Sequence, residues 1–404
     1  EGLRAHGTVQ ARGAGAARGG YVETSGGALD LRGVRVDAGS ERGSAGTWLV
    51  DPYDVDVVHG AAAGSLPSNP FEPIANSTIQ DGDINAALDA GTSVTISTGT
   101  GGDPAQGFIT LQNGVEIRRT TGTGALDLTF NAHHGIAGEG FLIESTAGEL
   151  NLAFNSNASG TQPDAASIAL SNAQLRTNGG SVSMYGQSDP AAGHASSIRG
   201  PAISLGDTVI DTRIGQSDAS AGGAVVMRGS SNGLESISIS GGSIQSSTGD
   251  VTVRGVTGGT GDGVMVQAGN EDALIATTTG NIAITGLGGG DASFSASGVV
   301  LAGAHVQTVD GTIDVRGLAQ GASTEGAGVV MEGASLVVQG AGRAWVTGQS
   351  EGSGAGIDMQ GGTSASSAYA IDGGSQAVVL RADNDGGADA IAINAPVRSG
   401  AAIN

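Results

Sequence analysis

Apolar and polar residues alternate in short runs along the chain, most of them closed by glycine: SVSMYG from Ser181, VTVRG from Val251, NIAITG from Asn281 and TIDVRG from Thr312. Alternation of period two puts one side of a strand in a core and the other in solvent, so each run predicts a half-buried β-strand. Helical periodicity is confined to one stretch, DINAALDAG, which predicts about two turns from Asp83 as N-cap to Gly91 as a stop. The pattern defines an all-β chain.

The runs repeat. From about Ile168 onward, units open near Ile198, Val225, Val264, Val299, Val329, Ile357 and Ile391, a spacing of roughly 30 residues that belongs to solenoids. The unit at Val299 reads VVLAGA, HVQTVDG and TIDVRG, then the small-residue connection LAQGASTEGAG; the unit at Val264 keeps three strands of the same length but ends in LGGGDASFSASG. Strands that stack must hold their register, whereas loops leaving a corner can change length freely. Three strands per unit with one variable connection predict a right-handed parallel β-helix. Val300, Val306, Ile313 and Val315 are expected to point inward and to align with Met265, Ile275, Ile282 and Ile284 as aliphatic ladders. Glycines recur where each coil turns, at corners that need positive φ or have no room for a Cβ.

The chain divides accordingly into N-terminal coils over 1–60, a loop and short-helix excursion over 61–93, and a repeat shaft over 94–404. The excursion carries Pro67, Pro70 and Pro73 and is expected on the flank of one continuous rod.

Composition narrows the functional classes. With 74 glycines but only 9 prolines and no Gly-X-Y period, the chain is neither collagen-like nor a Pro-rich disordered segment. Aromatics at 3% suit a narrow aliphatic interior better than a sandwich of two large sheets. The formal charge of −22, with 17 basic residues that form no cluster along the sequence, argues against a nucleic-acid surface and serves solubility. No cysteine is present, so there is no disulfide framework. No apolar run is long enough to span a membrane. The sequence starts at Glu1 and stops in mid-coil after IAINAPVRSGAAIN, so it is expected to be a piece of a longer chain that continues beyond Asn404.

Three separated elements stand in order: GGYVETSGG from Gly19, GTWLVDPYDVDV from Gly46 and STIQDGDINAALDAGTSVTIST from Ser77. In them, roughly the first quarter of the chain resembles the filamentous-haemagglutinin-type exoproteins of bacterial two-partner secretion, the high-molecular-weight adhesins among them. The rest matches only in its Gly-rich repeat style. The resemblance implies secretion through an outer-membrane transporter, a location outside the cell or on the bacterial surface, and a right-handed parallel β-helix. It also implies a role in adhesion to a host or bacterial cell-surface protein or glycan, in biofilm formation, in capture of a haem source or in delivery of a C-terminal toxin. The chain lacks the NPNG-type segment that marks the secretion-recognition region of such proteins, and is expected to lie downstream of it.

Candidate chemistry is sparse. Asp51, Asp54 and Asp56 form the densest carboxylate run, and alternation would put Asp54 and Asp56 on one strand face. A solvated strand face following a turn is the favoured reading of them. His133 and His134 are neighbours, so on a strand they would point to opposite faces, and no third metal ligand is evident. In GGTGDGVMV, Asp262 falls one position early for a calcium nonapeptide. Asn76 and Asn157 head glycosylation sequons at about the frequency chance allows. Trp48 and Trp345 lie inside strand-like runs and offer no visible sugar platform. No catalytic, cofactor or metal residue is assigned. The sequence reads as a non-catalytic adhesin segment, with a β-helical polysaccharide lyase or hydrolase as one alternative and ligand capture through the 61–80 loop as another.

Overall fold

A computed structural model describes residues 2–61, 77–99, 106–161, 167–187, 189–290, 296–321, 325–360, 370–386, 389–401 and 403. The chain coils as a parallel β-helix of three faces. Among the described residues the first face is a 14-stranded sheet and the third a 13-stranded one, while the second is split into a 10-stranded and a 2-stranded sheet. Every paired strand within these sheets is parallel to its neighbour.

The alternation dictates the core. Along Val251–Thr257, Val251, Val253 and Thr257 are buried, while Thr252 and Arg254 face out. Stacking in register then builds vertical ladders. Ile275, Val306 and Leu336 align on the second face, and Val253, Ile284, Val315 and Val346 on the third, all fully buried. Lower in the rod, Phe130 and Phe154 stack at 5.1 Å between ring centroids. Each rung thus adds a layer of aliphatic side chains to one continuous core.

Four expectations need correction. Val300 and Met265 pair in register as expected but face outward; their neighbours Val299, Leu301, Val264 and Val266 fill the interior. A run of consecutive apolar residues does not reveal which parity is inward, and here the choice is fixed by the corners. The coils also do not open at Ile198 and Val225. The first-face strands begin at Ile203 and Ile237, whereas Val225 opens a third-face strand. VVMRG and VVLAG are alike in pattern, and only the corner geometry distinguishes their faces. Third, the helix is Asp81–Asp89, beginning two residues before Asp83, with Gln80 as N-cap. Gly91, in the left-handed region at φ 79°, follows as the stop.

The helix is not a flanking excursion. Residues 62–76, which include Pro67, Pro70, Pro73 and Asn76, lie outside the described residues. Residues 77–97 form a coil of the rod: Ser77–Gln80 is a first-face strand, the helix takes the place of the second-face strand, and Ser93–Ser97 lies on the third face. A helix between strands leaves sheet edges unpaired on both sides, and the side chains repair this. Asp81 Oδ2, Asn85 Oδ1 and Asp89 Oδ1 accept the backbone N–H groups of Glu116, Arg118 and Thr120, each at 2.7 Å. Four helical residues rise about 6 Å and two strand residues advance about 6.6 Å, so an i, i+4, i+8 series meets alternate N–H groups along the edge. On the opposite side Asp83 accepts the Gly33 N–H and pairs with Arg35, both at 3.1 Å. Ile84 and Leu88 fill the core.

Asp83 has no exposed surface, and burial pushes its carboxyl up to about 6 even against the Arg35 guanidinium. A carboxyl whose folded pKa exceeds its unfolded value of 3.8 makes the folded state bind protons more tightly, so its contribution to stability grows as pH falls from above 6 toward 4. Relative to Asp83→Asn, the native chain is expected to gain on the order of 2 kcal/mol between pH 7 and pH 4. Urea unfolding of both chains across that range checks this; a constant difference would contradict it.

Candidate binding surface

The residues singled out by sequence do not converge. Asp54 accepts the backbone N–H groups of Gly107 and Phe108 at 2.8 and 2.9 Å and so caps a turn. Asp51 ends a third-face strand, where burial and then Glu23 push its carboxyl upward. Asp56 lies on the first face and accepts from Gln112. His134 is buried against Phe108 at 5.0 Å and beside His133, and His133 is held below its usual pKa by burial and then by His134. Among the described residues no three His, Cys, Asp or Glu side chains gather as a metal site. Asp262 accepts the Ser297 N–H at 2.6 Å. Asn157 is buried at φ 50° with Nδ2 donating to Ser196 Oγ, so its sequon offers no room for a sugar.

Among the described residues the second face carries surface relief. After Val209–Asp211 the chain leaves the rod in a short loop, residues 213–221, that carries a single 3₁₀ turn, Ile214–Gln216. The loop is braced rather than loose. Arg213 grips Asp211 through Nε and Nη2 at 2.9 and 2.7 Å, and also binds Asp218. Ser220 Oγ approaches the carbonyls of Ile214 and Ser217 at 2.8 and 2.6 Å. The Asp218 carbonyl accepts from Thr278 Oγ1 at 3.0 Å, and the Gly215 N–H donates to Asn178 Oδ1. The two anchors lie on different coils, so the loop runs along the rod axis. Hollows flank it. One is floored by Gln245, Ala276 and Gln307 and walled by Asp218; a second lies by Glu144, Arg176 and Gln216. A broader one, of about 580 Å³, continues over Ser243, Leu274 and His305.

Asp272 and His305 line that broad hollow, and Ser335 on the next coil lies behind His305. His305 Nε2 lies 3.1 Å from Asp272 Oδ2, and its Nδ1 lies 2.7 Å from Ser335 Oγ. The residue types are those of a hydrolytic triad, but Ser335 is only 1% exposed, so no substrate carbonyl can reach its hydroxyl. The chain of bonds fixes the imidazole in the wall of the hollow. Sequence inspection missed this set because about 30 residues separate its members, and missed the loop because its bracing is long-range. The one local signal is Asp211 two residues before Arg213, the spacing of a self-capped turn.

No protein-family model matches the chain, and a search of curated proteins finds no match.

Proposed function

We propose that this chain is a non-catalytic segment of a secreted bacterial surface adhesin. In this reading the β-helix is a shaft and the braced loop 213–221, with the hollows beside it, is the attachment point. The observation that carries the reading is the pairing, among the described residues, of a rigid shaft with a preorganised loop. A loop held by Arg213, Ser220 and Thr278 loses little conformational freedom on binding, and that saving strengthens association. The resemblance of the first quarter to haemagglutinin-type exoproteins supports export through an outer-membrane transporter and display outside the cell, with a cell-surface protein or glycan as the partner. A β-helical hydrolase or lyase would need free acids and an arginine converging on one outer face; the second face does gather Glu116, Arg118, Glu144 and Arg176, but there Glu144 is bound between the two guanidiniums, and Asp54 is tied into a turn.

The test replaces Ile214 to Ser220 by a Gly-Ser linker of equal length. Attachment of the purified chain to epithelial cells and to bacteria is expected to fall at least tenfold while the melting temperature is retained. Undiminished attachment would overturn the assignment to this loop.

A further inference from the structure

The third face carries a column of arginines that the sequence disperses. Arg228 and Arg254 are partners in register; the same column continues through Thr285 to Arg316, and through Thr347 to Arg381. At about 4.8 Å per rung the column runs roughly 24 Å along the rod. In a chain of net charge −22, like charges on adjacent rungs repel each other and would call for nearby carboxylates. Yet among the described residues no carboxylate lies within ion-pair distance of Arg228, Arg254 or Arg381; only Arg316 is paired, through a fork to Asp314.

Independent observations mark this face as lacking a partner. Arg228 Nε, His194 Nε2 and Trp345 Nε1 are all closed off from solvent and donate to no protein acceptor. His194 belongs to the same neighbourhood, because its protonated form is disfavoured by burial, then by Arg254 and by Arg228. Buried donors without acceptors carry a full desolvation cost, and what this face leaves open to an anion is the exposed Arg254 and the half-buried Arg228 guanidinium. Farther along, Trp345 faces outward beside the column, with the Arg381 guanidinium 5.7 Å from its ring centre. The face therefore offers charge at one end and an aromatic plate about three rungs away.

We propose that the third face is a docking track for a linear uronate polysaccharide, with Arg228 and Arg254 clamping its carboxylates and Trp345 stacking on a sugar ring. A guanidinium binds a carboxylate through two parallel hydrogen bonds, and neighbouring carboxylates of a polymer match the forks that Arg228 and Arg254 offer on adjacent rungs. One tryptophan serves a sugar ring, whereas tracking a single-stranded nucleic acid calls for a series of aromatics. Debye screening of about 8 Å at physiological salt isolates the column from the acidic residues of the other faces. Asp383, next to Arg381, weakens that end, so the clamp lies at Arg228 and Arg254. The inference rests on the attachment reading for its setting and names a second class of surface partner for the same shaft.

The experiment measures binding of the whole chain to polygalacturonate oligosaccharides by calorimetry, with dextran, dextran sulfate and single-stranded DNA in parallel. Arg228→Gln with Arg254→Gln is expected to weaken polygalacturonate binding at least tenfold, and Trp345→Ala severalfold. Arg118→Gln, on the second face, should leave it unchanged. Arg254→Lys, which keeps the charge and the exposed position but loses the fork, should fall between, and a melting curve for each variant confirms that it folds. No binding by the native chain, or none lost in the double variant, overturns the track. Binding of dextran sulfate or DNA as tightly as polygalacturonate overturns the choice of uronate. Cell attachment that persists without polygalacturonate binding counts against the track alone; polygalacturonate binding in a chain that attaches to no cell counts against the attachment reading alone.

Discussion

Gly317→Val is expected to open the rod in its C-terminal third, lowering unfolding stability by about 3 kcal/mol and creating a new protease-sensitive site near residue 317. The cause is a pinch between the third and first faces. Gly255, Gly286, Gly317 and Gly348 occupy one register column, and a Cβ on each would lie 1.9, 1.8, 1.7 and 1.9 Å from the carbonyl oxygen of Gly263, Gly298, Gly328 and Gly356 in turn. The position is inward, since Val315 and Ala319 on either side are buried. It is also where the chain leaves the coil for its variable loop and returns. Both clashing partners are backbone, so neither can rotate away. Gly200→Ala serves as the control, because a Cβ there meets nothing within 4 Å. Urea unfolding and limited proteolysis of the two variants give the comparison; equal stability would contradict the pinch.

Trp48→Ala is expected to cost about 3–5 kcal/mol. Trp48 is fully buried and lies in register between Val22 and Val94, so it spans three successive coils of the third face. Its Nε1 donates to Thr24 Oγ1 at 3.2 Å, and the Thr24 hydroxyl approaches the Leu49 carbonyl at 3.3 Å. Truncation leaves both a cavity and a buried hydroxyl short of a partner. Trp48→Phe keeps most of the volume and loses the hydrogen bond, and should cost about 1 kcal/mol. Thermal and urea melts of the three chains check the order. A Trp48→Ala chain as stable as Trp48→Phe would show that this region of the rod is loosely packed.

The fold was legible because the period-two code is local: a valine two residues from an isoleucine declares a strand wherever the rest of the chain lies. Alignment within the ladders was legible for the same reason, as with Ile282 and Ile313. Orientation was not, where apolar residues run together, as at Val299 to Leu301. The corners decide parity, and corners depend on contacts such as Gly255 with Gly263. The three N-terminal sequence elements also come together in the structure. Tyr21–Ser25, Thr47–Asp51 and Ser93–Ser97 are consecutive rungs of one face, so those motifs encode packing around Trp48. The surface was hardest to read. No basic cluster is visible along the sequence, yet stacking places Arg228, Arg254, Arg316 and Arg381 in one line. The solenoid turns a separation of about 30 residues into one of about 4.8 Å, and the linear chain gives no measure of that conversion. Arg119, buried with its guanidinium donating to the carbonyls of Glu149, Gly124 and Thr121, was equally hidden, because its acceptors belong to turns.

On the first face, Ser77–Gln80 lies between Ala28–Asp30 and Val55–Val58, and Val55–Val58 in turn carries Ile109–Leu111. The polypeptide therefore lays the upper of these rungs before the lower one. A growing or exported chain that emerges N-terminus first cannot wind this region one coil after another: Val55–Val58 has to wait, unsupported from below, until the later strand slides beneath it. From Ile109 onward each coil rests on a finished one and winding can proceed in order. The rod thus has a built-in starting knot of order in time, in which the strands Thr47–Asp51, Val55–Val58, Ser77–Gln80, Ser93–Ser97 and Ile109–Leu111 close together or not at all, and a chain halted before residue 77 would be left free to settle one rung too low.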